Sequence, residues 1–120
     1  MRRVVVLGAS NKPERTAYEA LSRLIEAGFD PIPVNPALDT ILGRKCYPAL
    51  ADVARPVETL TVYLGEKRST PLIDEILALK PGRIILNPGA ENDVLATKAK
   101  GAGIPVENAC TLVLLGTGQF

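Results

Sequence analysis

The aliphatic run Val4, Val5, Val6 and Leu7 ends directly in Gly8. Four successive β-branched or aliphatic residues show no alternation with polar ones, so the segment reads as a strand covered on both faces. Such a strand belongs in the middle of a parallel sheet, and helices must supply the two covers. A glycine turn at its end re-aims the chain into the first of these helices.

The rest of the chain repeats that rhythm. Asn11, Lys12 and Pro13 are read as opening a helix whose inward face is Ala17, Ala20, Leu21, Leu24 and Ile25, a spacing of three and four residues. Gly28 ends it. Residues 30–34 form a second strand, which its two prolines keep from being paired as a central strand throughout. Residues 37–48 are a long connection, and residues 48–53 a short helix. A third strand covers residues 59–64. Ser69, Thr70 and Pro71 cap a helix that turns Leu72, Ile73, Ile76 and Leu77 inward. Residues 83–86 are the fourth strand, residues 91–100 a helix, residues 104–107 the fifth strand, and the tail from Ala109 a last helical segment. Strands alternating with helices predict a single α/β domain over residues 1–120. The expected architecture is a Rossmann-like three-layer sandwich with a mainly parallel five-stranded sheet and right-handed crossovers.

Composition narrows the chemistry. Hydrophobic residues are 47% of the chain and aromatic ones 4%, so the core is aliphatic. The net charge of +1 gives no basic face for nucleic acid. No apolar run is long enough to span a membrane, and the first residues enter a glycine turn rather than a cleavage site, so a cytoplasmic protein is expected. Histidine is absent. That removes Ser-His-Asp and Cys-His catalysis, phosphohistidine chemistry and histidine-ligated metals. Cys46 and Cys110 have no CxxC spacing; both are expected to be small buried hydrophobes. A metal site is not expected.

In sheets of this class, ligands sit beyond the carboxyl ends of the strands. Gly8, Ala9, Ser10 and Asn11 stand there. Gly8 permits a sharp turn and a close backbone approach. The unbonded N–H groups at the start of the following helix suit an anion such as a diphosphate. Ser10 can donate one more hydrogen bond, and Lys12 and Arg15 can add charge at the rim. The pattern is not GxGxxG, and an ordinary βα turn with a Ser or Asn cap is the plain alternative. An NAD site places Asp or Glu at the tip of the second strand. Here that tip is Pro33, Val34, Asn35 and Pro36, and Asp30 falls at the strand's start, not at its tip.

Three stretches together resemble the small CoA-binding protein family, which is related to the CoA-binding domain of the succinyl-CoA synthetase α subunit. They are residues 8–15, residues 33–36 and residues 41–50 (Ile-Leu-Gly-Arg-Lys-Cys-Tyr-Pro-Ala-Leu), with Pro88, Gly89 and Asn92 resembling a later turn of that family. The resemblance runs over nearly the whole chain. It implies coenzyme A or an acyl-CoA across the first two βα loops. Gly8, Ala9 and Ser10 would hold the diphosphate, Val34, Asn35 and Pro36 would border the adenosine, and Gly43 to Tyr47 would close over the ligand. Three positions depart from the family pattern: Ala37 where a lysine is common, Tyr63-Leu64-Gly65 in place of Phe-Arg, and Leu86-Asn87 before the later Pro-Gly.

The expected cofactor-binding residues are therefore Gly8, Ala9, Ser10, Asn11, Lys12, Arg15, Val34, Asn35, Pro36, Gly43, Arg44, Lys45 and Tyr47. Arg44 or Lys45 would replace the missing lysine at a CoA phosphate; solvated loop charges are the competing reading. Tyr47 is either a ligand edge or a half-buried anchor. Glu91, Asn92, Asp93 and Thr70 are expected to cap helices, and no catalytic residue is assigned. The leading expectation is a non-catalytic binding module. The alternatives are an NAD(P)-dependent oxidoreductase-type domain, an interaction protein with an empty ancestral pocket, and a transferase or ligase working with a partner chain. A homo-oligomer or an unknown protein partner stays open.

Overall fold

The computed structural model describes residues 2–120. In chain order the elements are β1 (Arg3–Leu7), α1 (Thr16–Glu26), β2 (Asp30–Val34), β3 (Thr40–Ile41) and β4 (Arg44–Lys45), then a 3-10 turn at Leu50–Asp52. They continue with β5 (Thr59–Val62), α2 (Glu66–Ser69), a 3-10 turn at Thr70–Leu72, α3 (Ile73–Leu79), β6 (Arg83–Leu86), α4 (Asp93–Gly101), β7 (Val106–Asn108) and α5 (Thr111–Gly116).

The main sheet has five strands in the order β2-β1-β5-β6-β7. Every pairing in it is parallel. Side chains alternate across each strand, and β1 shows the consequence. Val5 and Leu7 enter a core with Ile73 and Ile76 of α3 and Leu95 of α4. Val4 and Val6 enter the opposite core, with Leu21 and Leu24 of α1. Val4, Val5 and Val6 are completely buried, each contributing roughly 1.5–3 kcal/mol relative to exposure. The expected three-layer Rossmann-like sandwich is the architecture found.

β2 lies at the sheet edge, and its backbone explains how it holds two prolines. Asp30 N–H donates to the Arg2 carbonyl on the β1 side. Residues 30, 32 and 34 thus turn their amides toward β1. Pro31 and Pro33, of the other parity, turn their missing N–H groups outward, where no ladder bond is lost.

Several boundaries differ from the expectations, each for a local reason. α1 starts at Thr16 rather than at Asn11–Pro13. Arg15 N–H bonds the Lys12 carbonyl, so Pro13 occupies the second position of a tight turn instead of a helix start. The first loop is accordingly long, residues 8–15. The long connection holds a hairpin, β3–β4, turning at Leu42 (φ 51°) and Gly43 (φ 74°). Two successive positive φ values make a two-residue hairpin turn, usually signalled by Asn-Gly or Asp-Gly. Leucine at the first position hid it. Helix begins after β5 at Glu66, so Ser69 and Thr70 are not caps. Ser69 is buried and its hydroxyl accepts from Asn92 at 2.8 Å, while Thr70 donates to the Glu66 carbonyl. Asn92 does cap α4, accepting from Leu95 N–H at 3.1 Å.

Candidate functional site

The strand order reverses between β1 and β5: the chain goes outward from β1 to β2, then returns across β1 to β5. A cleft of about 740 Å³ opens at that switch point, where ligands collect in open parallel sheets. One wall is the β1–α1 loop, Gly8 to Lys12, with Arg15, Thr16 and Ala17. A second is the β2 exit, Val34 to Leu38. The far wall is Pro48 to Leu50, Tyr63, Leu64, Arg68, Leu72 and Glu75.

Gly8 has φ +87°, and a Cβ there would stand 2.9 Å from Leu64 Cδ2 and 3.3 Å from Leu64 N. Only glycine lets the first loop lie this close to β5. The amides of Gly8 and Ala9 both donate to the Val34 carbonyl at 3.2 Å. They fasten the loop to β2 and are not available as the anion cradle. The amides of Ser10 and Asn11 have no partner among the described residues, nor do those of Thr16 and Ala17 in the first turn of α1. Of the four expected loop residues, Gly8 and Ala9 thus have their amides occupied, and Ser10 and Asn11 have theirs free among the described residues. Ser10 Oγ accepts from Lys12 N–H at 3.1 Å and shapes the turn.

Asn35 ties the two loops together. Its Nδ2 donates to the Ala9 carbonyl at 2.7 Å, and its Oδ1 accepts from Ala37 N–H at 2.8 Å. Its own N–H donates to the Tyr47 carbonyl at 3.0 Å. It is thus a brace between the expected diphosphate and adenosine walls.

The residues Gly8, Ala9, Ser10, Asn11, Lys12, Arg15, Val34, Asn35 and Pro36 all line this one cleft. Gly43, Arg44, Lys45 and Tyr47 do not. They line a separate, shallower cavity of about 460 Å³ with Arg3, Asp30 and Leu42. Arg44 Nη1 lies 2.6 Å from Asp30 Oδ1, at the amino end of β2 and so at the opposite end of the strand from the cleft. Lys45 Nζ sits 5.0 Å from the Tyr47 ring centroid. Tyr47 is the anchor of the two readings: its N–H bonds the Pro33 carbonyl, and the segment extends the edge of β2.

Sequence reasoning saw the far wall only in part. Lys67 with Arg68 stands out as a cluster of positive charge suited to a phosphate, and Tyr63-Leu64-Gly65 as a departure from the family pattern, but the place of Arg68 opposite the first loop depends on how β5 returns beside β1. Leu72 looked like an ordinary core residue. Lys12, Arg15 and Arg68 are exposed, and none is paired with a carboxylate among the described residues.

Behind the far wall lies a buried polar cluster. Asn87, 2% exposed, donates to Thr61 Oγ1 at 2.6 Å and the Val62 carbonyl at 2.9 Å, and accepts from Thr111 N–H at 2.9 Å. The Thr61 and Thr111 hydroxyls share a bond of 2.7 Å. This network fixes α5 to the carboxyl ends of β5 and β6. The neighbouring Tyr63 hydroxyl is buried without a hydrogen-bond partner among the described residues. Burial pushes the Tyr63 pKa up to about 12, and the nearby Thr111 and Thr61 hydroxyls, outside bonding geometry, favour its anion only weakly. Cys46 is 4% exposed and burial pushes its thiol up; Cys110 is half-buried at the start of α5. Glu91 accepts from Gly89 N–H at 2.9 Å. No group of three or more metal-ligating side chains occurs among the described residues, and no helix there is long and apolar enough to cross a membrane.

A family model described as a CoA binding domain matches residues 2–116. The uncharacterized protein YneT of Bacillus subtilis is 30% identical over 76 residues, covering 63% of this chain and 56% of YneT; the chain thus matches little more than half of that relative's length. The Thermus thermophilus protein ID.343 superposes with a TM-score of 0.90 at 31% identity, over 99% of this chain and 90% of that one. An acetyl-coenzyme A synthetase of Ca. Korarchaeum cryptofilum shares the fold, with a TM-score of 0.76 at 23% identity, over 89% of this chain and 25% of that one.

Proposed function

The chain belongs to the CoA binding domain family, and from that premise we propose that its cleft holds coenzyme A or an acyl-CoA as a binding module without catalysis of its own. The observation that carries this reading is the continuity of the cleft from the unpartnered amides of Ser10 and Asn11 to the β2 exit at Val34, Asn35 and Pro36. A diphosphate fits the first end. Two peptide donors and the opening turn of α1 supply oriented partial positive charge, and Lys12 and Arg15 supply full charge. The adenosine lies along Val34 to Pro36, and the apolar far wall of Leu50, Leu64 and Leu72 takes the pantetheine arm. Gly8 and Ala9 act by fixing the loop, and Asn35 by bracing it.

A nicotinamide nucleotide fits less well. Asp30 sits at the wrong end of β2 and is paired with Arg44, and Asp39, equally near the second strand's tip in sequence, does not line the cleft. Catalysis by Ser10 has no support either: its hydroxyl accepts a backbone bond, and the chain has no histidine to act as its base.

Isothermal titration of the purified chain with CoA, acetyl-CoA, NAD and NADP tests the reading. CoA or acetyl-CoA binds and the nicotinamide nucleotides do not. Tighter binding of NADP than of CoA would transfer the cleft to the oxidoreductase reading, and silence from all four would leave a protein with an unused pocket.

A further inference from the structure

We propose that the cleft grips its ligand's diphosphate from two facing walls and leaves the ribose phosphate unread, so that CoA and dephospho-CoA bind equally well. The inference rests on the CoA reading above and extends it to what the site discriminates.

The charges of the cleft are unevenly placed. Lys12 and Arg15 belong to the first loop, and Arg68 stands on α2 in the wall across from it. All three are exposed and unpaired among the described residues, so each is available to form charge-assisted hydrogen bonds with a phosphate. Glu75 of α3 is the carboxylate of the same cleft and forms no ion pair with them. The ribose end carries no cation. Its wall is Val34, Asn35, Pro36, Ala37 and Leu38, and the Asn35 side chain is already bonded on both sides. The cations nearest this wall in sequence are committed elsewhere: Arg44 to Asp30 at 2.6 Å, and Lys45 over the Tyr47 ring. Both line the other cavity. A 3′-phosphate beside Ala37 therefore meets no cation of its own wall and stays in water with its counterions, where salt screens it.

Titration of the full chain with CoA and with dephospho-CoA, at physiological salt, measures this directly. The two dissociation constants agree within about twofold, whereas a cation paired with the 3′-phosphate would separate them by roughly tenfold or more. Arg68→Gln weakens both ligands in parallel by about tenfold. Ala37→Lys, which places a cation at the ribose end, tightens CoA by several-fold more than dephospho-CoA. A clear preference of the unaltered protein for CoA would overturn the inference while leaving the CoA reading intact. Unchanged affinities in Arg68→Gln would remove the second wall from it. If neither nucleotide binds, the inference and the reading beneath it fall together.

Discussion

Replacing Asn35 by Asp removes one donor and adds one charge at the brace between the two ligand-facing loops. In the native chain Nδ2 donates to the Ala9 carbonyl at 2.7 Å, while Oδ1 accepts from Ala37 N–H. Aspartate keeps the acceptor. It also sets a carboxylate oxygen against the Ala9 carbonyl at the former bonding distance. The loss of a half-buried bond and the new repulsion together cost about 1–3 kcal/mol at neutral pH. The cost is pH-dependent, because a protonated carboxyl can donate to Ala9 as the amide does. The folded state thus favours the protonated acid and raises its pKa above the unfolded carboxyl value of roughly 3.9. Stability from that proton is fully present below the unfolded pKa and is lost as pH rises through the folded one. Urea unfolding of Asn35→Asp and the native chain, at about pH 7 and about pH 4, reads the difference at each pH. The deficit of the variant shrinks at the lower pH. Asn35→Ala, which loses both side-chain bonds at every pH, shows a deficit that does not. An Asn35→Asp deficit equal at both pH values, or no deficit at all, would refute the bracing geometry.

Other perturbations separate structural from ligand-facing groups. Asn87→Leu leaves the Thr111 amide and the Thr61 hydroxyl short of a buried partner and lowers unfolding free energy by about 3 kcal/mol in the same urea assay. Tyr63→Phe removes a buried hydroxyl with no bond to lose, so stability at neutral pH stays within about 0.5 kcal/mol or rises. In the native chain, ultraviolet titration finds one tyrosine ionising only near about 12. Its raised pKa contributes stability that is intact below the ordinary phenol range and lost as pH climbs through the folded value; Tyr63→Phe lacks that loss. Gly8→Ala forces a side chain into φ +87° against Leu64, costing about 1–2 kcal/mol from backbone strain alone, with CoA affinity falling alongside. Gly101→Ala, at the end of α4 with open space around it, shifts the thermal midpoint the other way, by about 0.4–1 kcal/mol of added stability.

The strands and helices were largely legible because their signals are local. Val4 to Leu7 announces a strand buried on both sides, and the three- and four-residue spacing from Ala17 to Leu24 announces a helix with one inward face. The errors fell where a short polar residue or a proline has two local roles. Pro13 serves a turn rather than a helix start, Ser69 and Thr70 bond sideways rather than capping, and Leu42 adopts a conformation usually left to Asn or Gly. Of the site, the first loop and the β2 exit could be read because each follows a strand directly. The segment from Gly43 to Tyr47 could not be placed: a cation's partner, here Asp30 for Arg44, depends on contacts beyond its own loop.

From its sequence alone, this chain was bound to form an aliphatic parallel α/β sandwich with a glycine turn after its first strand, since side-chain periodicity fixes which faces are buried. Tertiary structure decided the rest. The order β2-β1-β5-β6-β7 brings Arg68 across from Lys12 and Arg15, turns the Gly8 and Ala9 amides onto Val34, and draws Arg44 away to Asp30. Periodicity specifies a face, but only the pairing of strands far apart in the chain specifies which residues share a cleft.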